Sequence, residues 1–263
     1  VFPMALSLFK EANLPRRFIP AALAFGSVTF TMTSAGSVEI QNFLPMDYLG
    51  TTQFAGWRVS IFVALFMALT GIWWFERMMK RAVANGEKFD ERSSDPAQKS
   101  YDNLPNPFLG LIPLAIVLGT SFYFSVILGF GKSSLIVALL AGLLSAIILY
   151  RKEFNNLGVA LSTATFGALI AISNTCAVVG FGSIAKLTPA FHDALAFMTS
   201  IPGNGLIGAA VAISVIVALT GSASGGQAIA LPLIAPHYTE AGVDPEALHR
   251  VIAITSGGLD SLP

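Results

Sequence analysis

Charge and cysteine are both scarce in this chain of 263 residues. Lys, Arg, Asp and Glu together make up 11% of it, whereas a soluble domain usually carries about 25%, so an ordinary soluble globular fold is excluded. The 15 basic and 15 acidic residues cancel, which leaves no net positive field to favour nucleic acid as a partner. The single Cys176 cannot close an intrachain disulfide, and its apolar neighbours predict a buried small hydrophobe. His192, His237 and His249 stand without metal-ligand spacing, in segments that read as interfacial. There is no nucleophile–base pair and no phosphate loop, and His249 and Asp260 lie on different segments. An enzyme, a metal site and a cofactor are therefore not expected. No secretory leader pattern stands at the start, and Val1 is not an initiator.

What is abundant is hydrocarbon. The chain is 54% hydrophobic with a mean hydropathy of +0.70, and its apolar runs are of membrane length, which predicts an all-α polytopic membrane protein. Trp57 to Phe75 reads as an ordinary span with Trp57, Trp73 and Trp74 as interfacial anchors. Glu76 to Asn106 carries six Lys/Arg and six Asp/Glu and reads as a solvated loop. Leu109 to Leu128 and Ser133 to Tyr150 read as two spans joined by a tight Gly129-Phe130-Gly131-Lys132 turn. Leu187 to Ile201, with Pro189, His192 and Asp193 among large apolar residues, suits the interface. A charged turn from Glu240 to Arg250 precedes the final run from Val251.

Three stretches break the pattern of plain spans. Phe18 to Met32 dissolves into the polar run Thr29 to Asn42, a candidate broken helix. Leu157 to Ile184 is interrupted by Ser173-Asn174-Thr175, a second candidate. The third is Thr220 to Ala228, which sits in an apolar run with no long side chain but Gln227. Its flanks, Leu206 to Leu219 and Ile229 to Tyr238, are too short to span comfortably. Two short helices meeting at a Gly/Ser tip predict a re-entrant hairpin, since irregular backbone survives at membrane depth only where protein or a wet cavity covers it.

Counting positive charge with the 76–106 loop inside places eleven Lys/Arg residues inside and four outside, namely Arg58, Lys132, Lys186 and Arg250. That is the positive-inside bias. The octet Phe9 to Arg16 lies over Tyr238 to Pro245, the first inside and the second outside, with Pro15 one residue out of register with Pro245. An inverted-topology repeat follows, the architecture by which transporters alternate access to a midplane site.

Thr220-Gly221-Ser222-Ala223-Ser224-Gly225-Gly226, then Ala247-Leu248-His249-Arg250 and Ser256-Gly257-Gly258-Leu259-Asp260-Ser261-Leu262-Pro263, closely resemble the gluconate permease (gluconate:proton symporter) family. Phe30-Thr31-Met32-Thr33 followed by Ile40-Gln41-Asn42 matches that family's other signature. The resemblance covers nearly the whole chain and is weakest in Glu76 to Asn106. It implies a bacterial inner-membrane symporter that imports gluconate or a related small hydroxy acid with protons. It also implies truncation at both ends, and the wider ion-transporter superfamily implies a homodimer. Ser37-Val38-Glu39 departs from the family's usual Pro and Gln before Ile-Gln-Asn, which leaves open another small carboxylate, a D-amino acid such as D-serine, or sodium coupling. A non-transporting subunit or receptor with this fold is the reading from another class.

The candidate site residues follow from chemistry. Ser222, Ser224, Gly225 and Gly226 at the hairpin tip offer backbone and hydroxyl donors to an anion, although small residues also serve close helix packing. Thr31, Thr33, Gln41 and Asn42 form the opposing wall, or else glue spans together. Asp260 and Glu39 are the acids placed to carry a coupling proton, because burial raises a carboxyl's pKa; Glu39 equally suits a wet position near the outer interface. Ser173, Asn174 and Thr175 are carried over only through the superfamily's hairpin-tip motif.

Overall fold

The computed structural model describes residues 2–27, 32, 34–92, 95, 107–185, 187–199 and 204–259. Among them every regular element is helical. Among the described residues three helical stretches are long and apolar enough to cross a bilayer, Trp57–Ala84, Phe108–Ile127 and Leu157–Ile184. The chain divides into two compact units.

The first unit takes residues 1–34 and 58–106. It holds α1 (Phe2–Glu11), a single 3-10 turn at Arg16–Phe18, α2 (Ile19–Ser27) and most of α4 (Trp57–Ala84). Ala5, Leu6, Phe9, Phe18, Ile19 and Ala82 form its buried core, with Phe75, Met78, Met79 and Phe89 packed against it. Phe18 meets Phe75 edge to face at 5.9 Å. The membrane helix does not end at Phe75 as the charge pattern implied. It continues to Ala84, because Glu76, Arg77, Lys80 and Arg81 are good helix formers and Glu76 pairs with Lys80 one turn on at 2.6 Å.

The second unit takes residues 35–57 and 107–263. It holds α3 (Leu44–Leu49), α5 (Leu111–Phe122), α6 (Ser133–Leu149), α7 (Leu157–Ala185), α8 (Pro189–Thr199), α9 (Gly205–Thr220), α10 (Ala223–Glu240) and α11 (Pro245–Thr255). A short π-helical turn, Tyr123–Ile127, ends the α5 span, and the expected turn to α6 forms with Gly129 and Gly131 both at positive φ. The core lies between α3, α9, α10 and α11, where Ala212, Ile213, Ile216, Leu231, Ile234, Leu248 and Ile252 are shielded from solvent.

α7 corrects two expectations. It runs unbroken through Ser173-Asn174-Thr175, and the Thr175 hydroxyl donates to the Ala171 carbonyl at 3.2 Å, the local bond that lets a hydroxyl sit inside a helix without breaking it. Cys176 is exposed rather than buried, since the contacts of α7 run along one line of residues toward α10 and leave its other faces open.

The repeated octet folds the same way twice. Leu14 N–H donates to Phe9 O at 2.8 Å and Asn13 N–H to Lys10 O at 3.0 Å; Val243 N–H donates to Tyr238 O at 3.0 Å and Gly242 N–H to Thr239 O at 3.0 Å. Both are Schellman turns, with Asn13 (φ 49°) and Gly242 (φ 80°) as the left-handed residue. The residue that follows each turn is extended with nearly equal angles, Pro15 at φ −58°, ψ 120° and Asp244 at φ −59°, ψ 123°. The same register sets Pro3 on Pro232, Glu11 on Glu240, Ala12 on Ala241 and Ser27 on Ser256.

Candidate functional site

The hairpin at 205–240 is built by local rules. Asn204 caps α9 by accepting from Leu206 N–H at 2.9 Å, and Gly221 closes it in the left-handed conformation (φ 60°) with its N–H on Val217 O at 2.8 Å. Ser222 then caps α10, its hydroxyl oxygen accepting from Gly225 N–H at 3.2 Å. The break expected over Thr220 to Ala228 is confined to Gly221 and Ser222, because α10 already begins at Ala223, and the result is a tight helix–turn–helix. Its glycines are seats for neighbours. A Cβ on Gly226 would come within 2.8 Å of the Val217 backbone on α9, and one on Gly225 within 2.4 Å of Val178 on α7. Ser224 is partly buried in the same first turn.

α10 packs against the 3-10 turn Ile40–Asn42 and against α3, so the hairpin and the predicted opposing wall meet. Gln41 and Asn42 are both buried there. Thr31, Thr33 and Asp260 lie outside the described residues. Glu39 caps the turn as an extended, exposed residue whose N–H donates to Ser37 Oγ at 3.2 Å. Ser173 and Asn174 are exposed and Thr175 partly buried on α7.

The charged turn expected from Glu240 to Arg250 is instead the end of α10, a four-residue turn and α11. Asp244 caps α11 by accepting from Ala247 N–H at 2.9 Å, Pro245 takes the first helical position and Glu246 the first turn, an arrangement that favours a helix start. His249 and Arg250, read as outer residues, are 0% and 2% exposed. The His249 Nδ1 and the Thr51 hydroxyl share a hydrogen bond at 2.6 Å.

Arg250 holds the segment before α4 in place. Its Nε donates to Ala55 O at 2.9 Å, one terminal nitrogen donates to Ala55 O at 2.7 Å and Gln53 O at 3.2 Å, and the other donates to Asn42 Oδ1 at 2.8 Å. Gln53 in turn donates its amide to Ser121 Oγ on α5 at 2.6 Å. On the other side Gln227 donates to Ser256 Oγ at 2.9 Å, which ties the hairpin to the segment leading toward Asp260. Among the described residues the buried oxygens of Gln41, Gln53 and Gln227 have no donor. A polar network of amides, hydroxyls and one guanidinium thus runs through an otherwise apolar unit.

Fold and network together define an all-α polytopic membrane protein with a buried polar centre. The chain is similar to the uncharacterized transporter YxjC of Bacillus subtilis (strain 168), at 32% identity over 304 aligned residues that include 100% of this chain and 64% of that protein. The chain thus spans less than two thirds of the length of the curated relative it matches. No family model matches the chain, and no solved structure does.

Proposed function

We propose that this chain is the core of a secondary transporter that imports a small organic acid, gluconate or a related hydroxy carboxylate, together with protons across the bacterial inner membrane. The observation that carries the reading is the capped α9–α10 hairpin packed against the polar turn at Gln41 and Asn42, two interrupted elements meeting at one buried polar centre as inverted-repeat carriers require. The twofold Schellman turn supports a duplicated architecture, and the relative's printed name supports transport. Thr31, Thr33, Gln41, Asn42, Ser222 and Ser224 contribute donors to the substrate, and Asp260 carries the proton.

The test is uptake of labelled gluconate by the full-length protein in proteoliposomes. Accumulation driven by an imposed pH gradient, lost with a proton ionophore and in Asp260→Asn, is the expected result. Uptake under a sodium gradient alone overturns proton coupling. No uptake under either gradient removes gluconate and moves the test to other hydroxy acids and D-serine.

A further inference from the structure

In the first unit α2 and α4 touch at one point and part beyond it. A Cβ on Gly71 would come within 2.1 Å of Phe25 Cε2, which marks the contact. An apolar groove of about 690 Å³ opens between the two helices, and every α4 residue that lines it lies beyond Gly71. That volume suits a small apolar ligand. Ala22 and Phe25 line one wall, and Ile72, Phe75, Met79 and Val83 the other. Those four recur three and four residues apart, so they share one face of α4.

The groove shares a lip with a cationic hollow. Glu76, Lys80 and Ala84 border both the groove and a second hollow of about 340 Å³, whose remaining lining is Trp73, Arg77 and Arg81. Arg77 lies over the Trp73 ring, 5.8 Å from its centroid. Glu76 is the one carboxylate of that lining, and Lys80 already holds it at 2.6 Å. Arg77 and Arg81 are exposed, and among the described residues no Asp or Glu pairs with either. α4 is long and apolar enough to cross a bilayer, and its charged last turns follow Trp73 and Trp74 as an interface follows a span. The groove therefore opens to acyl chains, and the cations stand where headgroups lie.

We propose that the two hollows form a site for one anionic phospholipid, with an acyl chain in the groove between α2 and α4 and its phosphate on Arg77 and Arg81. Guanidinium groups match phosphate oxygens in charge and in fork geometry. A zwitterionic lipid would bring an ammonium group to the same cations. Charge selects the lipid, and the groove fixes where it sits. The site lies within the first unit and is independent of the transport reading.

Native mass spectrometry of the full-length protein in mild detergent, with equal amounts of dioleoylphosphatidylglycerol and dioleoylphosphatidylcholine added, reads both parts. The expected result is a retained phosphatidylglycerol, favoured about tenfold or more over phosphatidylcholine, since each cation near a membrane surface is worth about fivefold. Arg77→Gln/Arg81→Gln is expected to bring the two lipids to parity, and Arg77→Lys/Arg81→Lys to keep most of the preference. Val83→Phe fills the groove from an exposed position and is expected to lower retention about fivefold or more. Equal retention of the two lipids by the wild type, or an unchanged preference in Arg77→Gln/Arg81→Gln, overturns the proposal. Full retention in Val83→Phe overturns it too. Binding of glycerol phosphate, which has no acyl chain, as tightly as the lipid marks a simple anion site and overturns it, as does a wild-type dimer that separates in Val83→Phe, which puts a second copy in the groove.

Discussion

Gly226 and Gln227 are neighbours with opposite duties. Gly226 lets α9 and α10 touch, and a side chain there would reach Val217 Cα, which cannot move without shifting the helix. Gly226→Val is therefore expected to cost on the order of 1–3 kcal/mol, read as a lower melting temperature of the detergent-solubilised protein. Gln227→Leu keeps the bulk but removes the donor to Ser256 Oγ and Ile252 O, and it is expected to destabilise by about 1–3 kcal/mol for the groups left behind. The break at Thr220–Ala228 was legible, since Gly and Ser inside an apolar run have few explanations. The role of its glycines was not legible, because a ligand and a neighbouring helix both demand the absence of a side chain. Arg250 escaped for a different reason. A charge count treats every cation as solvated, although Asp244-Pro245-Glu246 does announce the helix.

Just beyond α4, Glu87, Phe89, Glu91 and Asp95 behave as a strap over the first unit. Lys10 pairs with Glu91 at 2.7 Å, Arg16 grips Asp95 with both terminal nitrogens at 2.6 Å, Arg17 grips Glu87 at 2.7 Å, and Phe89 N–H donates to Asn13 Oδ1 at 3.2 Å. Composition showed six charges of each sign and suited a free loop; it could not show that the cations opposite were Lys10, Arg16 and Arg17 on a distant turn. Trypsin in inside-out vesicles is expected to cut after Lys88 and Arg92 faster in the Arg16→Gln/Arg17→Gln double variant and in high salt, which screens exposed pairs. Restored protection in Arg17→Glu/Glu87→Arg would assign the effect to the pair itself. The hydrogen bonds from Arg16 and then from the Arg92 backbone hold the Asp95 carboxyl below its usual range. A depressed folded pKa contributes stability that is present above the unfolded value and lost as pH falls through the folded one. The strap is thus expected to hold at neutral pH and to become protease-sensitive in acid, below about pH 4.

Across the whole chain, the duplicated turn makes the strongest demand. If the two copies are inverted in the membrane, the paired exposed residues Ala12 and Ala241 face opposite compartments. In a Cys176→Ala background, an impermeant maleimide added outside is expected to label Ala241→Cys and to spare Ala12→Cys until the membrane is opened; labelling of both from one side contradicts the inversion. The repeat was legible as an octet because its turn is made by local residues, and local chemistry is what a sequence displays. The same locality sets an order of assembly. Each Schellman turn closes between residues five apart or fewer and needs nothing later in the chain. The Arg250 bonds to Gln53 and Ala55 span 197 and 195 residues, so during synthesis those carbonyls stand open until α11 has been made. A nascent chain released just short of α11 would therefore carry finished turns around an unfinished centre, and quality control in the membrane has until then an unpaired backbone to recognise.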